Sequence, residues 1–316
     1  LRGARQHGMT MAELLVSMAL GLGVLLAAGA LLASVNQAWV AQSEAAAADD
    51  GGRYALDLIG RAVRQAAYVD WELVDPGAGQ EAIQPARFAG LDDRSISKAA
   101  DAIANPLPDA VNGSDVLAVR FGGAGPAPDG DGSVTSCAGF PVHGLADGWS
   151  IFYVARNGQG EPELRCKYRG ASGWGADAVV AGVDGFQVLY GLDTDAAPDG
   201  VANRYVNAST IAALDAALVP GGANAVDQAR DRLRRSHWKR IVSVKVALLL
   251  RGAKAGQGAQ ANATYDLFGS MYGDAHGGAD RGARLAEADL AADAPARERR
   301  LFATTFVLRG PAPRLQ

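Results

Sequence analysis

Cysteine and histidine are scarce in this chain of 316 residues, with two of the first and four of the second. A single pair of cysteines excludes a disulfide-dense miniature scaffold and a four-thiolate zinc centre. His7, His143, His237 and His276 show no spacing that joins them to Cys137 and Cys166, so a mixed zinc site has no ligand set. Catalytic signatures are missing as well. The chain has no G-x-S-x-G elbow, no phosphate-binding glycine loop followed by Lys-Ser or Lys-Thr, and no HExxH helix. Asp92 and Asp93 are adjacent and point to opposite sides of an extended chain, which makes no general acid/base pair. A basic excess is also lacking: the net charge of -4 leaves no overall footprint for nucleic acid. The reading is of a protein that is not an enzyme and carries no resident cofactor, without internal repeats or a collagen-like period.

A second absence is more telling. From Leu14 to Val35 there is neither a charged residue nor a proline. Those 22 residues rise roughly 33 Å as a helix, enough to cross a hydrocarbon core of about 30 Å. Arg2 and Arg5 precede the run and no Lys or Arg follows until Arg53, so the positive-inside rule predicts N-in, C-out topology in an inner membrane with the remainder in the periplasm. Glu13 stands at the edge of this run, where an ionised carboxylate costs a few kcal/mol and calls for a partner. A Glu that snorkels to the headgroups is the plainer alternative. An ordinary secretory signal cut near Ala28-Gly29-Ala30, or a plain membrane anchor, is the rival for the whole segment.

The rest of the chain, 49% hydrophobic and 20% charged with 40 glycines, has material for one large globular domain or two small ones. Helical character continues past the span. Tyr54, Leu56, Leu58, Ile59, Val63 and Ala66 or Ala67 recur near i, i+3 and i+4. Gly51-Gly52 inside this stretch lowers helix propensity and predicts a break or kink. Residues 70–112 read as loop, punctuated by Pro76, Pro85, Pro106 and Pro108. Strands are predicted at 115–121, 149–155, 163–168, 185–191, 241–251 and 301–308, with a hairpin turn at Asn157-Gly158-Gln159-Gly160. In the strand at 241–251, Val242, Val244, Val246, Leu248 and Leu250 share one face while Ser243, Lys245 and Ala247 point away. Helices are predicted at 210–218 and 223–235, the second carrying a basic segment of Arg230, Arg232, Arg234 and Arg235. A helix followed by consecutive strands gives α+β, with helix on one face of an antiparallel sheet. Cys137 and Cys166, an even pair on the outer side of a membrane, read most simply as one disulfide. Asp193, Asp195 and Asp199 are spaced somewhat like a calcium loop, and Asp129-Gly130-Asp131-Gly132 is a second such run. Neither supplies the late bidentate Glu of an EF-hand, and ordinary turns select the same residues.

Gly8, four uncharged residues, Glu13 and an apolar helix together resemble the class III signal of type IV prepilins. Further stretches, among them Gly52 to Ile59, Phe186 to Asp193, Trp238 to Leu249 and Arg299 to Arg309, are similar to PilW-type minor pilins. The resemblance implies a pilin-like α+β fold: a leader at 1–8, an N-terminal helix at 9–70 whose span is 14–35, and a periplasmic domain at 71–316. It implies cleavage by prepilin peptidase between Gly8 and Met9, N-methylation of Met9, and helix registration through Glu13, whose carboxylate would neutralise the terminal amine of a neighbouring subunit. The implied partners are the other minor pilins, the major pilin, the inner-membrane assembly platform and a tip adhesin. Major pilins often carry a proline midway through the span, so its lack here argues against a bulk fibre subunit. A minor pseudopilin of a type II secretion system and an anchored periplasmic binding domain are the alternatives.

Overall fold

The computed structural model describes residues 9–66, 84–254, 262–291 and 297–308. The chain divides into two compact units, Leu1–Ala47 and Ala48–Gln316. Helix α1, Met11–Gln65, runs through the boundary without a non-helical residue. In the first unit every residue from Met11 to Glu44 is exposed.

In the second unit the same helix changes character. Ala48, Gly52, Ala55, Leu58, Ile59, Ala62 and Val63 are buried at three- and four-residue spacing, forming one stripe against the sheets. Tyr54 stays exposed and Leu56 lies half-buried, while Ala67 is outside the described residues. The break expected at Gly51-Gly52 does not occur. Both glycines are contact points instead: a Cβ at Gly51 would sit 2.6 Å from Val180, and one at Gly52 2.6 Å from the ring of Phe302. Gly60 repeats the arrangement about two turns later on the same face, where a Cβ would meet the Phe306 ring at 2.5 Å. Close approach of helix to strand thus offsets a propensity cost of ~1 kcal/mol per glycine.

Five antiparallel strands form the first sheet in the order β1-β2-β3-β4-β5: β1 Phe88–Leu91, β2 Val116–Gly122, β3 Asp147–Arg156, β4 Pro162–Gly170 and β5 Gly173–Ala181. The β3–β4 hairpin turns where its Asn-Gly-Gln-Gly sequence predicts. Asn157 Oδ1 accepts from the backbone N–H of Gln159 and Glu161, and Gly160 takes φ +80°. β1 and β5 were not expected. β1 lies inside the stretch read as loop, part of which, 70–83, is outside the described residues; β5 is half-exposed along most of its length, so it lacks a clean alternation.

The second sheet has the order β11-β8-β6-β7, with β6 Val183–Leu192, β7 Arg204–Val206, β8 Ile241–Lys254 and β11 Arg297–Val307. A small ribbon pairs β9 Thr264–Asp266 with β10 Arg284–Ala286. The remaining helices are α2 Ala208–Ala216, α3 Ala225–Arg235, α4 Ser270–His276 and α5 Glu287–Ala291. One core joins α1 to both sheets through Ile59, Val63, Leu117, Phe152, Phe186 and Val246. The outer faces are covered too. Ile96 lies on Val116, Ala118, Ile151 and Tyr153, and the segment carrying Leu267, Leu285 and Leu290 covers Ala247 and Leu249. Ala247 therefore points away from α1 as its alternation predicts, yet it is buried.

A buried ionic network fastens β11. Asp184 accepts from Arg251 Nε at 2.6 Å and from Arg299 Nε at 2.7 Å, while Arg299 also pairs with Glu287, which accepts from the Tyr265 hydroxyl at 3.2 Å. Two carboxylates meet two guanidinium groups, so the cluster is balanced in charge, as burial requires. Arg300 pairs with Asp49, tying β11 to α1.

Candidate assembly site

The head of α1 is built from Thr10, Met11, Ala12 and Glu13. Thr10 is the N-cap. Its backbone N–H and its hydroxyl both donate to Glu13 Oε2, at 2.8 and 2.9 Å, and Glu13 N–H approaches Thr10 Oγ1 at 3.3 Å. This reciprocal arrangement is a capping box, whose signal in the sequence is Thr-x-x-Glu before an apolar run. It holds Glu13 in place at the helix start while Oε1 makes no hydrogen bond among the described residues. Met9 is exposed, and Gly8 lies outside the described residues along with the rest of the leader. Below this head, Leu14, Leu15, Val16, Met18, Leu20, Leu22 and their successors present bare apolar surface. Within the helix Ser17 Oγ donates to Leu14 C=O at 2.9 Å. By length and composition, α1 is the one helix among the described residues able to cross a membrane.

Cys137 and Cys166 form a disulfide across a Cα separation of 6.0 Å. Cys166 sits on β4 in the core and Cys137 in the long β2–β3 connection, where its N–H donates to Ser150 Oγ at 2.9 Å. The bond pins that connection to the sheet. His143, in the same connection, has a buried Nδ1 without a hydrogen-bond partner among the described residues.

Asp193, Asp195 and Asp199 do converge, each offering an oxygen within 4.8 Å of the others, and these are the residues that could hold a hard cation. The same oxygens already serve the turn. Asp193 accepts from the N–H of Asp195 and Gly200, Asp199 from that of Val201, and Asp195 from the Asn203 side chain. In the second acidic run Asp131 accepts from the N–H and hydroxyl of Ser133, which is turn chemistry.

Asp92 and Asp93 lie in a bend, with Asp93 at φ +48°, and not in the extended chain expected. Asp92 accepts from the N–H groups of Ala208 and Ser209 at the start of α2, and Asp93 faces Arg281. Nearby Asp115 is fully buried and accepts from the N–H of Val188 and Asp93, joining the two sheets. Burial, with the negative charge of Asp92 beside it, holds the Asp115 carboxyl well above the usual carboxylate range. Burial pushes Asp92 up as well. Lys167, equally buried, donates all three protons to the carbonyls of Ser97, Ala100 and Ala102 and so folds that loop over β3 and β4. Neither Asp115 nor Lys167 stood out in sequence, where each is one charge in an ordinary alternating strand.

Among curated proteins and among solved structures, no match to the chain is found. A family model does match: Type IV Pilus-assembly protein W, over residues 151–310, from within β3 to beyond β11. That match covers half of the chain and includes every strand of the second sheet, and the chain belongs to this type IV pilus-assembly family.

Proposed function

We propose that this chain is a minor pilin of the type IV pilus, stored in the inner membrane with its N-terminus inside and its globular unit in the periplasm, and acting without catalysis as part of an initiating or tip complex. The observation that carries the reading is the head of α1. An apolar helix long enough to span the membrane begins with a carboxylate that its own Thr10 orients while one oxygen stays available. Cleavage after Gly8 would place a charged amine on Met9, and Glu13 of one subunit would neutralise that of the next as the helices bundle. In low dielectric this pairing is strong, and an unpaired Glu13 is costly, so the pair sets the register between helices. The major pilin, the other minor pilins, the assembly platform and a tip adhesin are the partners this role requires.

The test is pilus assembly in cells carrying Glu13→Gln and Glu13→Ala at normal protein level. Gln keeps the Thr10 cap geometry and loses the charge. Registration by charge predicts that both variants are processed and membrane-inserted but fail to restore surface pili to a strain lacking the chain. Full piliation with Glu13→Gln would reduce Glu13 to a helix cap and remove the proposed mechanism.

A further inference from the structure

Helix α3 is distinctive among the helices of the globular unit because it buries none of its residues, whereas α2, α4 and α5 each bury at least one. A free helix of eleven residues is marginal in water, since most helical stability comes from packing of an amphipathic face. Here only its edges hold it. Asn224 caps its first turn, Asp231 accepts from Gly221 N–H at 2.8 Å, and Arg235 donates to Val219 C=O at 2.9 Å. Asp227 and Asp231 lie half-buried toward that loop, which leaves the opposite face open. On the open face Val226, Arg230 and Leu233 follow one another at i, i+4 and i+7, with Val226 60% and Leu233 40% exposed.

Charge sharpens the picture. Residues 225–240 carry six basic side chains against two acidic ones, in a chain whose net charge is -4. Within the helix every cation is an arginine, the side chain suited to bidentate pairing at interfaces. Arg234 and Arg235 share Asp231, while Arg230 and Arg232 have no ion pair among the described residues. Apolar anchors between unpaired arginines fit a protein groove better than a phosphate backbone, which offers Val226 and Leu233 nothing. The helix also has no aromatic ring on which a base could stack.

We propose that α3 is a docking helix for another protein subunit whose surface presents an apolar groove rimmed by carboxylates. Val226 and Leu233 enter the groove, and Arg230 and Arg232 pair with the rim. The inference deepens the assembly reading and rests on it in placing the groove on another subunit of the same machinery.

The experiment places a photo-crosslinking amino acid at Ala229, on the open face, in the full-length chain in cells, with the same residue at the exposed Leu145 as control. Docking predicts one discrete protein adduct from position 229 and none from 145, mapping to a peptide rich in Asp or Glu. Arg230→Glu with Arg232→Glu should lower the adduct yield about tenfold, and reversing the mapped carboxylates to arginine should restore it. Neither arginine has an ion-pair partner to lose among the described residues, and circular dichroism of the variant checks its fold. No adduct, an adduct indifferent to charge reversal, or an adduct with nucleic acid would each overturn the proposal. Mature N-terminus and surface pili are scored in the same cells. Intact processing without the adduct counts against α3 alone, whereas lost processing counts against the pilin reading.

Discussion

Replacing Gly52 with alanine decides whether that glycine is a hinge or a contact. In a flexible or broken helix, Gly52→Ala gains about 1 kcal/mol from propensity alone. The structure demands the opposite. The new methyl would lie 2.6–2.7 Å from three atoms of the Phe302 ring, so the ring or the helix must move. Phe302 is half-buried and sits in β11 opposite Leu248, a fully buried residue, so its freedom to give way is limited. With the ring so held, the cost falls in the upper part of the ~1–3 kcal/mol range for overpacking, ~2–3 kcal/mol, which outweighs the propensity gain and leaves a net loss of about 1–2 kcal/mol. For a unit of this size that lowers the melting temperature by roughly 2–8 °C. The assay is thermal and urea unfolding of the detergent-solubilised full chain, followed by the fluorescence of Trp149, Trp174 and Trp238. A double-mutant cycle completes it: with Phe302→Ala already present the clash disappears, and Gly52→Ala should then stabilise by about 1 kcal/mol. Stabilisation by Gly52→Ala in the unmodified background would refute the packing argument.

Three further outcomes follow from the globular unit. Asp184→Asn leaves Arg251 and Arg299 buried with half their countercharge and should cost ~3–5 kcal/mol in urea unfolding; a loss below about 1 kcal/mol would show the network to be dispensable. Reduction of Cys137–Cys166, or the Cys137→Ser/Cys166→Ser double variant, releases a connection closed by 29 residues of separation and should cost ~3 to 4 kcal/mol, with an unchanged urea midpoint as the contrary result. Because burial raises the Asp115 carboxyl above its unfolded value, its contribution is fully present at a pH below the unfolded pKa of about 3.9 and is lost as pH rises through the folded pKa. Asp115→Asn should therefore flatten the decline of stability with rising pH above about 4, and an unaltered slope in unfolding titrations would contradict the assignment.

How much of this was legible in sequence depends on what each residue's role requires. β11 shows period-2 alternation in burial from Arg300 to Val307, whereas β2, β6 and β8 are buried on both faces and were legible as apolar, β-branched runs bounded by turn residues. The uncharged run and Glu13 marked the spanning helix and its head. Cys137 and Cys166 pair as their even number implied. By contrast, β1 and β5 pair through backbone at sheet margins where burial is uneven, so no pattern betrays them. Gly51 and Gly52 mislead because a glycine that breaks a helix and one that admits a neighbouring side chain are the same letter; only Val180 and the ring of Phe302, far away in sequence, distinguish them. The buried partnerships of Asp115, Asp184 and Lys167 are equally long-range, joining residues that no local period connects.

Whether α1 is the helix of a processed pilin is read most directly from the intact mass and N-terminal residue of the membrane-extracted chain, from cells with and without prepilin peptidase, alongside Gly8→Ala. A processed pilin begins at N-methylated Met9, and that species is lost without the peptidase and in the variant. A chain beginning near Leu31, or an uncut chain in both strains, would contradict the pilin reading and leave an anchored periplasmic unit in its place.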